Sequence, residues 1–157
     1  MKLKVLLLAF LAFLFSFGSV SMAGGETNVM PVRIGIYDSR AVAFAYFCSE
    51  PYQNNLKQQV AAARAAEQSG DTNKFAELKT ALRDKQDEMH RQVFSTAAVN
   101  EALAAIKDRI PAIEKQAEIS GLVSKWDDVA LKKSNGADQL DVTDQLVHDL
   151  SNRRKSN

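Results

Sequence analysis

The predicted fold depends on residues 52–89, which read YQNNLKQQVAAARAAEQSGDTNKFAELKTALRDKQDEM. Both ends of this stretch are rich in Ala, Gln and Lys, which favour helix. Between them, residues 69–72 (SGDT) combine a glycine that can end one helix with residues that can cap the next. We therefore expect the chain to fold back at Gly70, so that Tyr52–Gln68 packs antiparallel to Asn73–Met89 as a helical hairpin.

The second helix of this hairpin is predicted to be long. Its apolar residues follow a heptad in two columns, one formed by Phe75, Leu82, Met89, Leu103 and Ile110 and the other by Leu78, Val99, Ile106 and Ile113. Such a repeat, sustained over about six heptads, is typical of a coiled coil. We therefore predict one helix from Asn73 to about Ser120, roughly 70 Å long. Pro111 must either kink this helix or end it near Arg109, and a kink is favoured because the apolar seam continues beyond it.

A short strand is predicted before the hairpin. Residues 32–38 read VRIGIYD, and their apolar residues alternate with other residues in the period-2 pattern of a strand. Ser39 can cap a helix that runs to Cys48. At residues 49–51 (SEP) we expect either a kink or a new helix, because proline is tolerated in a first turn but not in a helix interior.

The last part of the chain is predicted to return to that strand. Two apolar segments, residues 122–126 and 129–133, flank a pair of aspartates and predict a β-hairpin with an acidic turn. Residues 134–138 predict a loop, and a final helix is expected over Val142–Leu150.

Together these elements predict an α+β fold that is mostly helical. We expect a single domain over residues 32–150, whose body consists of residues 32–50 and 111–150 and contains a small sheet that is at least partly antiparallel. Residues 51–110 form the predicted arm, a long helical hairpin of the coiled-coil type. Residues 151–157 are polar and basic, and they predict a disordered tail.

The first 23 residues have the three-part pattern of a secretory signal peptide. Two lysines precede an apolar run over residues 5–17, and small residues end the segment at Ala23, after which we predict cleavage. An uncleaved anchor helix is the alternative, but a run of about 13 residues is short of the roughly 20 that span a bilayer. We therefore expect a periplasmic protein with a flexible leader over residues 24–31.

The charge balance argues against two classes of partner. The chain has 20 Lys and Arg against 19 Asp and Glu, and loss of Lys2 and Lys4 with the signal peptide would leave 18 against 19. Nucleic-acid-binding proteins present a clearly basic face, and membrane-surface binders carry basic clusters. We therefore expect no nucleic-acid partner and no strong membrane binding.

The reactive residue types show no catalytic or metal-binding pattern. Cys48 is the only cysteine and lies in an apolar stretch, so we expect a buried, unreactive thiol, with an intermolecular disulfide as the alternative. His90 and His148 lack partner ligands at metal-site spacing, and the aspartates of residues 138–144 lack the spacing of a calcium loop. Because phosphate-binding and nucleophile motifs are also missing from the sequence, we predict no enzyme activity, no metal and no cofactor.

The predicted order of strand, helical hairpin, strand pair and short helix resembles the Skp/OmpH family of periplasmic chaperones. Residues 32–38 resemble the first strand of the family, and Gly70-Asp71 lies where the family turns the tip of its arm. Residues 122–123 with 129–131 resemble its returning strands, and residues 141–146 resemble its closing helix. The resemblance covers nearly the whole chain after the signal peptide and rests on architecture, since no single motif is diagnostic.

This resemblance implies a fold and a function. Family members are trimers whose strands build a common body, while three arms enclose a cavity that holds unfolded outer-membrane proteins without ATP. By resemblance, we expect an exported holding chaperone for unfolded outer-membrane or secreted proteins, without a cofactor, that forms a homo-oligomer with a trimer favoured.

Two sets of residues are candidates for these contacts. Apolar side chains on the arm can offer adaptable contacts to an unfolded chain, and Met suits this because it is flexible. The candidates for client binding are Phe75, Leu78, Met89, Val93 and Phe94, of which the last two lie off the heptad columns. The candidates for the oligomeric body are Ile34, Ile36, Val123, Val129 and Leu131.

Other functions remain open at this point. A structural or adaptor protein could keep the same fold and bind one folded envelope protein through the hairpin or the sheet. A cell-surface or peptidoglycan-associated role is a third possibility, although no motif favours it. Client breadth separates the first two, because a chaperone should act on several unrelated unfolded proteins.

Overall fold

The computed structural model describes residues 33–134 and 136–153, which form a three-stranded sheet and seven helices. The strands are β1 (Arg33–Tyr37), β2 (Leu122–Ser124) and β3 (Asp138–Asp141). The helices are α1 (Ser39–Cys48), α2 (Glu50–Gln68), α3 (Thr72–Phe94), α4 (Asn100–Ala105), α5 (Ile110–Ala117), α6 (Asp128–Lys133) and α7 (Thr143–Ser151). The prediction of a mostly helical α+β chain is therefore confirmed.

The sheet is parallel throughout and has the strand order β2-β1-β3. The predicted strand before the hairpin is present as β1, which lies in the centre with Gly35 opposite Leu122 on one side and Leu140 on the other. The predicted antiparallel pairing is wrong. Each outer strand is reached through helices, so both return to β1 in its own direction, as parallel strands require.

Two elements near the carboxyl end of the chain differ from the prediction. The segment that was predicted as the second strand of a β-hairpin is helix α6. Its first turn is capped by Asp127, whose carboxylate accepts a hydrogen bond of 2.9 Å from the Ala130 amide. Lys132 and Lys133 in its last turn also favour helix. The third strand is instead β3, which forms from residues that were predicted as loop and helix start.

The helical hairpin is present, with its turn at the predicted position. Gly70 adopts the left-handed conformation (φ 74°), and the Asp71 carboxylate caps α3 by accepting a 3.0 Å hydrogen bond from the Lys74 amide. The Lys85 ammonium donates to the Asn55 side-chain oxygen at 3.3 Å. These two residues are equally distant from Gly70 along the chain, so α2 and α3 run antiparallel.

The single long helix predicted from Asn73 to about Ser120 is wrong. Helix α3 ends at Phe94, and residues 95–99 are irregular before α4 begins. Pro111 lies in the first turn of α5, so it starts a helix and does not kink one. The helical hairpin of α2 and α3 is correspondingly shorter than the predicted coiled-coil arm, because the apolar residues beyond Phe94 pack into the body.

The core lies where α1 and α7 cover the sheet, together with α4 and α5. Its most deeply buried apolar residues come from α1, α4, α7 and the segments next to them: Val42, Ala43, Val99, Ala102, Ile106, Val142, Leu146 and Leu150. Val99, Ile106 and Ile113 had been assigned to a coiled-coil seam. They are buried in this globular core instead.

The predictions for the two ends of the chain have different outcomes. The predicted signal peptide over residues 1–23 and the leader over 24–31 lie outside the described residues. Helix α7 includes Ser151, so the first residue of the predicted tail is helical, and the Asn152 side-chain nitrogen lies 2.8 Å from His148 Nε2. Within the described ranges, none of the helices combines the length and apolar character needed to cross a bilayer.

Candidate functional site

The carboxyl edge of the sheet brings together charged and aromatic residues from distant parts of the chain. Asp38 follows β1 directly, and Lys125 and Trp126 follow β2. The indole nitrogen of Trp126 donates to Asp38 Oδ1 at 3.1 Å, and the Lys125 ammonium pairs with Asp38 Oδ2 at 2.5 Å. In parallel sheets this edge is also where ligands commonly bind.

Asp38 is held in its ionised form at the centre of this network. Burial alone would raise the pKa of its carboxyl group, but hydrogen bonds from Lys125, from the Trp126 indole and from the Arg40 amide outweigh that effect. The pKa of Asp38 is therefore lowered from its usual value. Its amide also donates to the Thr143 hydroxyl at 2.9 Å, so the network includes the start of α7.

Arg40 connects the network to the end of the hairpin. Its guanidinium lies 4.3 Å from the centroid of the Trp126 ring, in cation–π geometry, and its Nε donates to the Ser95 carbonyl at 3.0 Å. The Lys125 ammonium lies 5.1 Å from the same ring. Trp126 therefore has two cations against its ring and a carboxylate on its nitrogen, which hold the indole in one orientation.

Three large apolar side chains are exposed on segments that include Arg40 or that Arg40 contacts. Phe44 is 61% exposed, Phe94 is 76% exposed and Trp126 is 39% exposed. Phe44 lies one helical turn after Arg40 on α1, and Phe94 precedes Ser95, whose carbonyl Arg40 binds. We name Phe44, Phe94 and Trp126 the aromatic patch. Exposed apolar patches of this kind mark interaction sites, and Trp and Arg are enriched at binding hot spots.

A cleft of about 550 Å³ runs beside β2, and Trp126 of the carboxyl-edge network is one of the residues that line it. All three residues of β2 line it, together with residues 96–100 and 126–130, and we name it the β2-edge cleft. Tyr37 and Ser39 complete the lining. Burial raises the pKa of Tyr37, and the negative charge of Asp127 raises it further.

A second cavity, of about 660 Å³, lies where α1 meets α2. Its lining includes Tyr46, Phe47 and Tyr52, whose ring centroids are 4.9 to 5.3 Å apart. The pKa of both tyrosines is raised, mainly by burial and then by the charge of Glu101. These rings pack on one another and on the core, which gives them a structural role at the base of the hairpin.

The five predicted client-binding residues are placed differently from one another. Phe94 lies in the aromatic patch and is the most exposed of them. Phe75 and Leu78 are half-buried on α3, and Lys79 lies 5.8 Å from the Phe75 ring centroid. Met89 and Val93 pack against the core and are therefore only partly available to a partner.

The residues predicted for an oligomeric body are also spread over different elements. Ile34 is buried and Ile36 is half-buried, and both lie in β1, whose two edges are paired within the same chain. Val123 lies in the edge strand β2. Val129 and Leu131 lie on helix α6, where Val129 is 65% exposed.

Cys48 is exposed at the end of α1, so the prediction of a buried thiol is wrong. His90 and His148 are both exposed. Within residues 33–134 and 136–153, no group of three or more His, Cys, Asp or Glu is arranged to hold a metal ion.

Sequence reasoning missed Asp38, Arg40, Phe44 and Trp126 as functional candidates. Phe44 lies in the run AVAFAYFC, whose apolar character gives no sign of which residue faces outward. Asp38 and Trp126 did carry a signal, because each is the last residue of a segment that was predicted as a strand. Had the strands been predicted as parallel, the two residues would have been expected at one edge.

Comparisons of this chain with protein-family models, with curated proteins and with solved structures found no match. The function therefore has to be inferred from the aromatic patch and the β2-edge cleft themselves.

Proposed function

We propose that this protein is an exported, ATP-independent holding chaperone that binds unfolded polypeptides through the aromatic patch. The observation that carries the proposal is that Phe44, Phe94 and Trp126 are all exposed, on segments that include Arg40 or that Arg40 contacts. Unfolded chains expose apolar side chains together with backbone carbonyls. Aromatic rings can pack against the apolar side chains, and polar groups at the rim of the patch can donate hydrogen bonds to the backbone carbonyls.

The proposal also draws on the resemblance to the Skp/OmpH family, which rests on the order of the elements in the sequence. The structure has a strand at β1, a hairpin turn at Gly70 and a final helix α7. Residues 129–131 differ, since they form helix α6 where the family resemblance expects a strand. The periplasmic location and the signal peptide remain part of the proposal and rest on the sequence of residues 1–23.

Homo-oligomerisation, with a trimer favoured by the resemblance, belongs to the same proposal. One aromatic patch is small, so a single copy offers few contacts to a long client. Several copies would engage one unfolded chain at several points, and the linked contacts would strengthen binding without any new kind of interaction.

The test is suppression of aggregation by stoichiometric amounts of the purified protein. Several unrelated outer-membrane proteins are diluted from urea, and their light scattering is followed over time. Phe94→Asp should weaken client binding about tenfold, because it places a charge in the patch at a side chain that is largely exposed and whose ring contacts the exposed His90 ring. Ala81→Asp is the matched control, since Ala81 is exposed on the same helix and lies away from the patch.

An adaptor that binds one folded partner is the second candidate. The fixed orientation of Trp126, between Asp38 and two cations, favours it, because a rigid patch suits a single complementary surface. An adaptor would leave the aggregation of all the unfolded proteins unchanged. Equal suppression by Phe94→Asp and by the unaltered protein would show that the aromatic patch is not the contact surface.

A further inference from the structure

The outer edge of β2 presents backbone groups that are not used within the sheet. Gly121 accepts a 2.9 Å hydrogen bond from Gly35, and the Lys125 amide donates to Tyr37 at 2.9 Å. In a parallel ladder, alternate residues point to the same side. The amide and carbonyl of Leu122 and the amide of Ser124 therefore point away from β1, into the β2-edge cleft.

Those three groups have no hydrogen-bond partner among the residues that the structure describes. The irregular segment that lines the same cleft is also incompletely bonded. Within the described part of the chain, the amide and carbonyl groups of Thr96 and Ala97 make no hydrogen bond, whereas the Ala98 carbonyl accepts one of 3.0 Å from Gln92. The cleft thus has unused main-chain donors and acceptors along its lining.

A buried hydroxyl in the same cleft is also unpaired. Ser39 lines the cleft and is only 2% exposed, yet its Oγ has no hydrogen-bond partner in the described ranges. Buried polar groups are normally bonded, and those that are not call for a partner. Ser39 is therefore a polar lining residue whose hydroxyl has no partner within the described residues.

The size of the cleft fits an extended peptide. A strand rises about 3.3 Å per residue, so the three residues of β2 offer an edge roughly 10 Å long. A volume of about 550 Å³ is within the range of known ligand sites. Addition of a peptide strand to a free sheet edge is a common mode of recognition, in which main-chain hydrogen bonds provide much of the affinity.

The charge of the cleft indicates which peptide it would prefer. Asp127 and Asp128 are among the lining residues, and none of the described lining residues is Lys or Arg. Arg40 and Lys125 lie against the lining residue Trp126, but their charged groups are bound to the Ser95 carbonyl and to Asp38. Asp127 is occupied as the cap of α6. The Asp128 carboxylate has no ion-pair or hydrogen-bond partner among the described residues, so it is available to a cation from a partner.

We propose that the β2-edge cleft binds an extended segment of a client polypeptide, which adds to the sheet as a fourth strand beside β2 and places a Lys or Arg against Asp128. This inference rests on the proposed function in that both have an unfolded polypeptide as ligand. It assigns the main-chain contacts to the cleft and leaves the apolar contacts to the aromatic patch.

The first experiment tests the main-chain contacts with defined peptides. The probe is a fluorescent nine-residue peptide of alternating Thr and Val with a central Lys, and binding to the purified protein is measured by anisotropy. The comparison is the same peptide with alternate amides N-methylated, which removes its donors on one edge. Binding should weaken about tenfold, because two or three hydrogen bonds are lost.

Ser124 provides a matched pair of variants on the protein side. Ser124→Ala removes only the hydroxyl, which accepts a 3.3 Å hydrogen bond from the Trp126 amide. Ser124→Pro removes the hydroxyl and also the outward amide, and proline is tolerated at an edge strand when its missing amide faces outward. The peptide should bind about fivefold more weakly to Ser124→Pro than to Ser124→Ala.

The charge is tested by Asp128→Asn, with Asp144→Asn as its control. Both aspartates lie in the first turn of a helix, so both substitutions alter the helix end in the same way, but Asp144 lies outside the cleft. Asp128→Asn should weaken binding of the Lys peptide about threefold and leave a norleucine peptide unchanged. Asp144→Asn should change neither.

Three results would overturn the inference. The first is failure of every peptide to bind, and the second is binding that ignores both N-methylation and Ser124→Pro. The third is a self-association, seen by light scattering, that Ser124→Pro abolishes, since the occupant would then be a second copy of this chain.

If aggregation suppression persists and depends on Phe94 while the peptides do not bind, only the cleft assignment is lost. If the peptides bind and suppression is absent, only the chaperone function is lost.

Discussion

Gly35→Ala should destabilise the fold, because the centre of β1 has no room for a methyl group. A Cβ at this position would lie 2.5 Å from Ile119 Cδ1, 3.0 Å from Leu122 Cδ2 and 3.1 Å from Val142 Cγ2. Ile119 is 7% exposed and Val142 is fully buried, so neither can move without displacing other core residues. The strand and its covering helices would have to separate slightly.

The expected magnitude follows from two opposing terms. Overpacking a core by one methyl group costs roughly 1–3 kcal/mol. Replacing glycine by alanine also restricts the unfolded chain, which stabilises the fold by about 0.4–1 kcal/mol where the backbone conformation allows it. The φ of Gly35 lies outside the left-handed region, so this second effect applies. We expect a net loss of about 1–2 kcal/mol.

Urea unfolding followed by circular dichroism measures this loss. With an unfolding slope near 1.5 kcal/mol per molar urea, the midpoint should fall by about 1 M. Gly121→Ala is the control, because no atom lies within 4 Å of the Cβ it would introduce and its φ also lies outside the left-handed region. Equal midpoints for Gly35→Ala and the unaltered protein, with equal slopes, would refute the packing described around β1.

Two further predictions concern the core and the carboxyl-edge network. Leu146→Ala should lower the free energy of unfolding by about 2–5 kcal/mol, since Leu146 is fully buried. In the same urea titration, Val147→Ala on the same helix should lower the free energy of unfolding by less, because Val147 is only partly buried. The lowered pKa of Asp38 means that its carboxylate stabilises the fold above the ordinary carboxyl pKa, near 3.9, and that this contribution is lost as the pH falls through the folded-state pKa. Asp38→Asn should therefore destabilise the protein at about pH 7, and its deficit against the unaltered protein should shrink below about pH 4; a deficit that is independent of pH would contradict this.

Local signals predicted the elements that local residues determine. The period-2 pattern of Val32, Ile34 and Ile36 predicted the strand seen as β1, and Gly70 predicted the hairpin turn. A glycine that must adopt positive φ and an aspartate that caps the next helix act within a few residues. Such features can be read without knowledge of the rest of the fold.

The features that were missed depend on distant contacts. Strand β3 reads Asp-Gln-Leu-Asp, which has little strand character, and it is a strand because it pairs with β1. Residues 129–131 form an apolar run of three, which fits either a strand or a helix turn, and the cap at Asp127 decides for helix. Spacing alone also could not distinguish a coiled-coil seam from the globular core that buries Val99 and Ile106.

The candidate site was the least predictable part of the molecule. Of the aromatic patch, only Phe94 was identified from the sequence, because it falls off the heptad columns. Phe44 and Trp126 are grouped with Phe94 only because the parallel register places β1 beside β2 and because Arg40 contacts both the Trp126 ring and the Ser95 carbonyl. The β2-edge cleft could not be foreseen, since the same segment was predicted to be paired in a β-hairpin.

The central position of β1 has a consequence for the order of folding. Its two neighbours lie far along the chain: Ser120, just before β2, bonds to Arg33 across 87 positions, and Asp138 of β3 pairs with Arg33 across 105. The helical hairpin can form early from adjacent residues, whereas contacts this distant close slowly. During synthesis β1 therefore emerges long before either strand that pairs with it. A chain interrupted before Asp138 would leave one edge of β1 open, so the sheet can be completed only after Asp138–Asp141 has been made.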